Sequence, residues 1–374
     1  MTGEHSTLHD AAVIGGGPMG SFAADRMARN GMRVVVFEKD AEPGLSTVCA
    51  GGMSADVAPF IGLPDEIVER RLSRLRLIVG TRVREWQFPD PAYLTIDRGR
   101  FDRYLARRAA EQGADLRLGA RVTHADVRTG IVRVRTNGGE YEVRARAILF
   151  ADGPHSLARR TTGLDARPAG ELRYCALQAD LEAVANDFPA LEFTADAGRN
   201  PFGYAWVFPK KDYLSVGLGR LTCVPGPSLV RLLDEFIRSR NDLKDLRVLR
   251  RRGAVIPAGP APILTAGRGL LIGDAAGMVN PLTGGGYVCG FRSAETAAAV
   301  CGRKLRCPAG DDVFPEYGHA LRKSRQFAAI GLAGAALRFA LAVHGKTGRS
   351  LYPQLLGGYF RAVHAAMRCG ARSL

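Results

Sequence analysis

Ala11 to Ile14 is an uninterrupted apolar run that passes directly into Gly15-Gly16-Gly17-Pro18-Met19-Gly20. A short apolar run ending in turn residues predicts a strand buried on both faces. Ser21 to Asn30 continues as a helix stopped by Gly31, and Arg33 to Phe37 is a second apolar strand. This strand–turn–helix–strand opening predicts a parallel, doubly wound sheet of the Rossmann type. A further helix is expected from Arg100 to Gln112, closed by Gly113. A further buried strand is expected from Ala147 to Ala151, leading to Asp152-Gly153.

Elsewhere the pattern changes. Leu75 to Phe88 and Leu172 to Leu221 alternate apolar and polar residues, with turn signals such as Lys210-Lys211-Asp212. Both segments predict an antiparallel sheet inserted between pieces of the nucleotide fold. From Asp311 onward the pattern is helical and Ala-rich, with a break at Gly345 to Gly348. The longest apolar stretch, Phe327 to Val343, is rich in Ala and Gly and carries Arg338. A spanning helix needs about 20 strongly apolar residues, so this stretch is not read as one.

Composition adds little to this picture except through charge. At 374 residues, 46% apolar and 24% charged, the chain has ample material for a buried core. The short polar start from Met1 to Asp10 shows no secretory signal, and the seven cysteines form no C-x-x-C spacing. They read as reduced thiols of a cytosolic protein. The seven histidines have no metal-ligand spacing, no Ser-His-Asp arrangement is visible, and no metal site is expected; His155 reads as a turn residue. The formal net charge of +15 would attract nucleic acid, an anionic membrane face or phosphorylated substrates. Arg is spread along the chain without an aromatic–basic motif, so weak attraction to a membrane surface is expected and nucleic-acid binding is not.

The glycine series is the first chemical anchor. Gly15 permits a tight turn, Gly17 lets the backbone approach a pyrophosphate, and Gly20 lets the helix pack close to the strand. The helix N-terminus adds amide donors and a positive dipole end. Glu38 ends the second strand, 18 residues after Gly20, where a carboxylate can accept ribose hydroxyls. A second anchor lies downstream. Leu270 to Asp274 reads as a strand followed by Ala275-Ala276-Gly277, and Thr283-Gly284-Gly285-Gly286 opens a helix from Tyr287 to Cys301. An extended dinucleotide needs such a second set of contacts: Asp274 could accept a ribityl hydroxyl, and the helix N-terminus could stabilise charge on a reduced flavin. The pair of anchors therefore favours FAD over NAD.

At this point the chain resembles the geranylgeranyl reductase family, within the FAD enzymes built like aromatic hydroxylases. The resemblance runs from about Ala11 to Ala299. It rests on Gly15 to Gly20, Cys49-Ala50-Gly51-Gly52, Arg98-x-x-Phe101-Asp102, Ala151-Asp152-Gly153, the stretch from Gly203-Tyr204-Ala205-Trp206 to Val207-Phe208-Pro209-Lys210, and Gly273 to Gly286. It implies a glutathione-reductase-like FAD domain, a sheet-based substrate domain and a C-terminal helical region. Beyond Glu38 and Asp274, it implies FAD contacts at Met19, Lys39, Cys49, Ala50, Gly52, Arg98 and Val122. Further contacts are implied at Asp152, Gly273, Gly285, Gly286 and Tyr287. The implied reaction is hydrogenation of isolated C=C bonds in a polyprenyl chain. No second Gly-x-Gly-x-x-Gly series is present, so the expected electron donor is NADPH bound transiently or a ferredoxin-like protein.

The expected domain limits are 8–74, 96–168 and 263–308 for the FAD-binding domain, 75–95 and 169–262 for the substrate sheet, and 309–374 for the helical region. A single Cys is ordinarily a small buried hydrophobe; the resemblance places Cys49 beside the flavin, as a proton donor or as a shaper of the cavity. Tyr204, Trp206 and Phe208 share one strand face, which is either core or the wall of an apolar substrate cavity. The expected protein is cytosolic or peripheral at the inner face of the membrane. Two other functions stay open: a flavin monooxygenase or halogenase, and a non-catalytic isoprenoid carrier that keeps a flavin for stability.

Overall fold

The structure, a computed structural model, describes residues 8–162, 164, 172–184, 187–306 and 313–368. The expected helical start at Asp311, and the domain limits at 168/169 and 308/309, lie outside the described residues.

The opening of the chain folds as its pattern predicts. Leu8–Ile14 pairs in parallel with Val34–Phe37 on one side and Gly139–Phe150 on the other, and Gly269–Leu271 extends the parallel set beyond Gly139–Phe150. Ala11, Ala12, Val13 and all of Val34–Phe37 are buried, as central parallel strands covered on both faces must be. The sheet is mixed rather than purely parallel, because Ile131–Thr136 and Arg121–Asp126 add an antiparallel ribbon to the N-terminal half of Gly139–Phe150. That ribbon explains why the strand expected only from Ala147 is twelve residues long. The helix Pro18–Arg29 starts three residues earlier than the pattern suggested, with proline at its first position. The helix Arg98–Glu111 likewise starts early, because Asp97 caps it by accepting the Arg100 amide at 2.7 Å. Between these two helices, Asp25 is fully buried and accepts from Arg108 at 3.2 Å and Arg29 at 3.0 Å.

The second sheet runs in the order Val248–Pro257, Arg173–Glu182, Tyr213–Leu221, Gly203–Pro209, Leu191–Ala195, Arg74–Val79 and Arg82–Gln87. It departs from the expected antiparallel sheet at one pairing, since Leu191–Ala195 runs parallel to Arg74–Val79. A parallel neighbour requires a long connection, and more than 100 residues, among them a large part of the nucleotide fold, separate these two strands. The residues 75–95 divide: Tyr93–Ile96 pairs instead with Gly52–Ser54 and Val68–Leu72 in a separate three-stranded sheet. On the second sheet, Ala205 and Val207 face the helix Leu229–Arg238, while Tyr204, Trp206 and Phe208 face the other way.

Two further boundaries differ from the sequence reading. The strand expected to reach Asp274 stops at Leu271, because Gly273 adopts φ +59 and starts a short 3-10 turn, Gly273–Ala276. The break expected from Gly345 falls at Gly348, which closes the helix Arg325–Thr347 in the left-handed conformation. By length and composition that helix could cross a membrane. One of its faces, with Ile330, Ala333, Leu337 and Ala340, is buried against the fold.

The three regions meet on one turn. Tyr174 of the second sheet donates to Pro281 O at 2.7 Å, Tyr352 of the C-terminal helix Tyr352–Arg368 donates to Leu282 O at 2.6 Å, and Tyr204 donates to Thr283 O. Asn280 Oδ1 accepts the Leu282 and Thr283 amides from inside the same turn. Burial raises all three phenols well above their ordinary range, so they stay protonated donors. Replacing Tyr352 with Phe should leave Leu282 O without its partner at a dry site. The expected loss is about 1–3 kcal/mol of stability, measured by urea unfolding; an unchanged midpoint would remove this contact from the framework.

Candidate functional site

The glycine turn is shaped by contact as much as by flexibility. Gly15 has φ +105, and a side-chain carbon there would lie 2.6 Å from Ala151 O. At Gly20 such a carbon would lie 2.0 Å from Gly15 O, so only glycine lets the helix start against the strand. At Gly17 it would meet nothing within 4 Å, and no side chain caps the helix that begins there. Glu38 is fixed at the rim, where Oε2 accepts the Gly16 amide at 2.8 Å and Oε1 the Asp40 amide at 2.9 Å.

Beside Gly15, Asp152 Oδ2 accepts the Leu157 amide at 2.6 Å, while Oδ1 is buried without a hydrogen-bond partner. Burial raises this carboxyl above its usual range. Open space at Gly17, an uncapped helix N-terminus and an orphaned acceptor together fit the diphosphate and hydroxyls of an extended dinucleotide. Residues of the second turn, Gly273, Asp274, Gly285, Gly286 and Tyr287, face the same crevice.

Cys49 sits where this crevice meets the second sheet. Its Sγ accepts the Gly51 amide at 3.3 Å and lies 3.8 Å from the Tyr287 hydroxyl. Burial lifts the Tyr287 phenol well above its ordinary range. Arg98 pairs with the carboxylate of Asp102 at 2.9 and 3.0 Å; although burial opposes its charge, Asp102 keeps the guanidinium protonated. Lys210 lies on the opposite side of the Cys49 loop, only 2% exposed, and donates to Ile96 O at 2.8 Å. Burial pulls its ammonium down to about 8, against the opposing pull of Cys49, Glu69 and Asp180. The loop between Cys49 and Gly52 is clamped from beneath: a side-chain carbon at Gly51 would lie 2.6 Å from Lys210 Nζ, and one at Gly52 would lie 2.7 Å from the Phe208 ring.

The crevice and the aromatic strand face line one continuous cavity of about 1880 Å³. Phe193 stands at the centre of the apolar wall, 5.2 Å from Tyr204, 5.3 Å from Phe208 and 4.8 Å from Phe360 of the C-terminal helix. Of the residues singled out in the sequence, Gly15, Gly17, Met19, Glu38, Lys39, Cys49, Ala50, Gly52, Arg98, Val122 and Asp152 line this cavity, with Tyr204, Trp206 and Phe208. Gly20 does not; it is buried where the helix packs on the strand. Sequence reasoning gave no role to Lys210, which read as a turn residue closing the Gly203 to Lys210 stretch, and missed Phe360, whose helix carried no chemical motif. Phe193 could have been found, because Leu191 and Phe193 alternate as the neighbouring aromatics do.

Comparison with known proteins places these features. Residues 9–198 match the family model of the FAD binding domain. Digeranylgeranylglycerophospholipid reductase 2 of Methanopyrus kandleri is 37% identical over 77% of this chain and 76% of its own. Among solved structures, a geranylgeranyl bacteriochlorophyll reductase-like protein of Thermoplasma acidophilum is 25% identical, with a TM-score of 0.80 over 87% of this chain and 88% of that one. A flavin-dependent brominase shares the fold at 18% identity and a TM-score of 0.73, covering 94% of each chain.

The site makes a direct prediction for cofactor retention. Asp274→Ala should weaken FAD binding about 10- to 150-fold through loss of a charge-assisted hydrogen bond. Asp234→Ala, on the helix behind the second sheet, should leave it unchanged. Fluorescence titration of apoprotein checks both, and equal affinities for wild type and Asp274→Ala would remove Asp274 from the site.

Proposed function

The chain belongs to the geranylgeranyl reductase family of FAD-dependent oxidoreductases, and on that footing we propose that it hydrogenates C=C bonds of an isoprenoid chain held in the aromatic cavity. The observation that carries this reading is continuity: the apolar wall of Phe193, Tyr204, Trp206, Phe208 and Phe360 and the dinucleotide crevice belong to one cavity. That wall suits an extended substrate without polar groups. The redox chemistry would be supplied by FAD held between the glycine turn, Glu38 and the Gly273–Gly286 turn, as transfer of two electrons and a proton, a hydride equivalent, to one alkene carbon.

The protein's own contribution is placement, exclusion of water and a proton. An isolated alkene is a poor hydride acceptor, so one carbon must be held against the cofactor while its neighbour receives a proton. We assign that proton to Cys49 Sγ. The thiol sits at the junction of crevice and wall, and the Gly51 amide and Tyr287 hydroxyl fix its direction. Arg98, half-buried, and Lys210, buried, are cations near the loop that set the field around it. Tyr204 ties the wall to the turn before Gly284–Gly286, so wall and cofactor seat move as one body. The C-terminal helices, which supply Phe360, are where we place selection of chain length and head group.

NADPH bound transiently, or a ferredoxin-like protein, is the electron donor we assign, since the chain carries a single Gly-x-Gly-x-x-Gly series. The net charge of +15 supports a cytosolic protein held weakly at an anionic membrane surface.

Anaerobic half-reactions test the reading. Reduced enzyme should be reoxidised by a polyprenyl alcohol, phosphate or lipid, which gains two hydrogens per double bond. Cys49→Ala should keep FAD but slow that step by about 100-fold or more, the usual contribution of a positioned acid. Product carrying oxygen or halogen in an aerobic assay would replace this reading with that of a monooxygenase or halogenase. A bound flavin that no donor reduces would favour a carrier.

A further inference from the structure

The helix Arg325–Thr347 has two apolar faces, and the fold uses only one. Ile330, Ala333, Leu337 and Ala340 pack into the core. On the opposite side, Ala328, Leu332, Ala335, Phe339 and Ala342 recur at helical spacing and are all exposed, Leu332 at 74% and Phe339 at 66%. Only 28% of the helix's apolar stretch is buried. A globular protein ordinarily turns charged residues outward at such positions, and a contiguous exposed apolar stripe marks a docking surface.

Charge identifies the partner. From Tyr317 to Leu374 the chain carries nine Lys or Arg and no Asp or Glu. Arg325 and Lys346 stand at the two ends of the stripe, Arg338 beside it, and Lys323 and Arg349 just beyond, all five exposed. None of the five forms an ion pair among the described residues, whereas Arg76, Arg133 and Arg251 of the two sheets are each paired with a carboxylate. A second copy of this chain would bring the same cations face to face with no carboxylate between them, which opposes self-association. An anionic lipid surface satisfies both features: its acyl region takes the apolar stripe out of water, and its headgroups meet the flanking cations.

We propose that the Leu332–Phe339 face is a membrane-docking surface that lies in the plane of an anionic bilayer. The helix lies on the membrane and does not span it, because Leu337 and Ala340 on its inner face are fully buried in the fold. Leu332 and Phe339 insert below the headgroups, and the basic residues reach the phosphates with their long stems. The placement bears on the site: Lys323, Arg325 and Ala329 are exposed and also line the cavity that reaches Cys49. Docking therefore presents an opening of the cavity to the lipid, so that an isoprenoid tail enters without crossing water. This last consequence rests on the proposed isoprenoid reaction; the docking itself does not.

Co-sedimentation of the full-length holoprotein with vesicles tests the surface. Wild type should bind vesicles of equal parts phosphatidylglycerol and phosphatidylcholine, bind pure phosphatidylcholine weakly, and lose much of its binding at about 0.5 M NaCl. L332E/F339E should bind at least about tenfold more weakly. R338E/K346E should lose binding to the anionic vesicles only. Both variants change exposed positions outside the cavity, so flavin absorbance and turnover of a detergent-dispersed prenyl substrate should match wild type. Wild type that ignores anionic vesicles, or L332E/F339E that binds like wild type, overturns the proposal. So does a wild-type dimer that L332E/F339E converts to monomer, which would make the face an interface between copies. Vesicle binding without turnover of any prenyl substrate would instead sink the reaction and leave the docking surface standing.

Discussion

Three phenol hydroxyls donating to three consecutive carbonyls, at Pro281, Leu282 and Thr283, are the constraint on which the rest of the site depends. They come from the second sheet, twice, and from the C-terminal helices. The turn they hold leads into Gly284–Gly286 and the helix Tyr287–Lys304, whose first residues line the cavity. A buried carbonyl without a donor is costly, so each region can dock only in the position that satisfies its own carbonyl. The dinucleotide fold, the aromatic wall and the C-terminal helices are thereby fixed relative to one another by polar groups. The apolar contacts around them supply stability without comparable direction.

The same logic governs the loop from Cys49 to Gly52. Two glycines let Lys210 and Phe208 press against its backbone more closely than any side chain would permit. Lys210 is charged at a site that disfavours charge, as its lowered pKa records. Its ammonium is retained there by Ile96 O and by the negative groups around it. A loop held this tightly keeps the Cys49 thiol pointing to one place, as the proton delivery we propose for it requires.

The C-terminal helices serve both sides of the molecule. Inward, Phe360 and Tyr352 complete the wall and the turn. Outward, the exposed cations and apolar stripe of Arg325–Thr347 have no function within the fold. The helix joins the two roles, because residues of its first turn line the same cavity as Cys49 and the glycine turn.

Local pattern determined much of this protein. The glycine series after Ala11–Ile14, the acidic end of the second strand and the alternation of Tyr204, Trp206 and Phe208 are legible because turns, helices and strands impose short periods on the residues within them. From these the FAD fold and the aromatic face could be read. Tertiary structure alone decided the rest. It paired Leu191–Ala195 in parallel with the distant strand Arg74–Val79. It buried Lys210 beneath a loop that its own neighbourhood gave no reason to expect, and from an Ala-rich helical tail it brought Phe360 into the cavity wall and Tyr352 onto the Leu282 carbonyl. It also settled which side of the Phe327 to Val343 stretch is core and which is surface, a choice no single-chain period can make when both faces are apolar. Each of these depends on which distant surface a residue meets, and that is set by closure of the whole chain rather than by spacing along it.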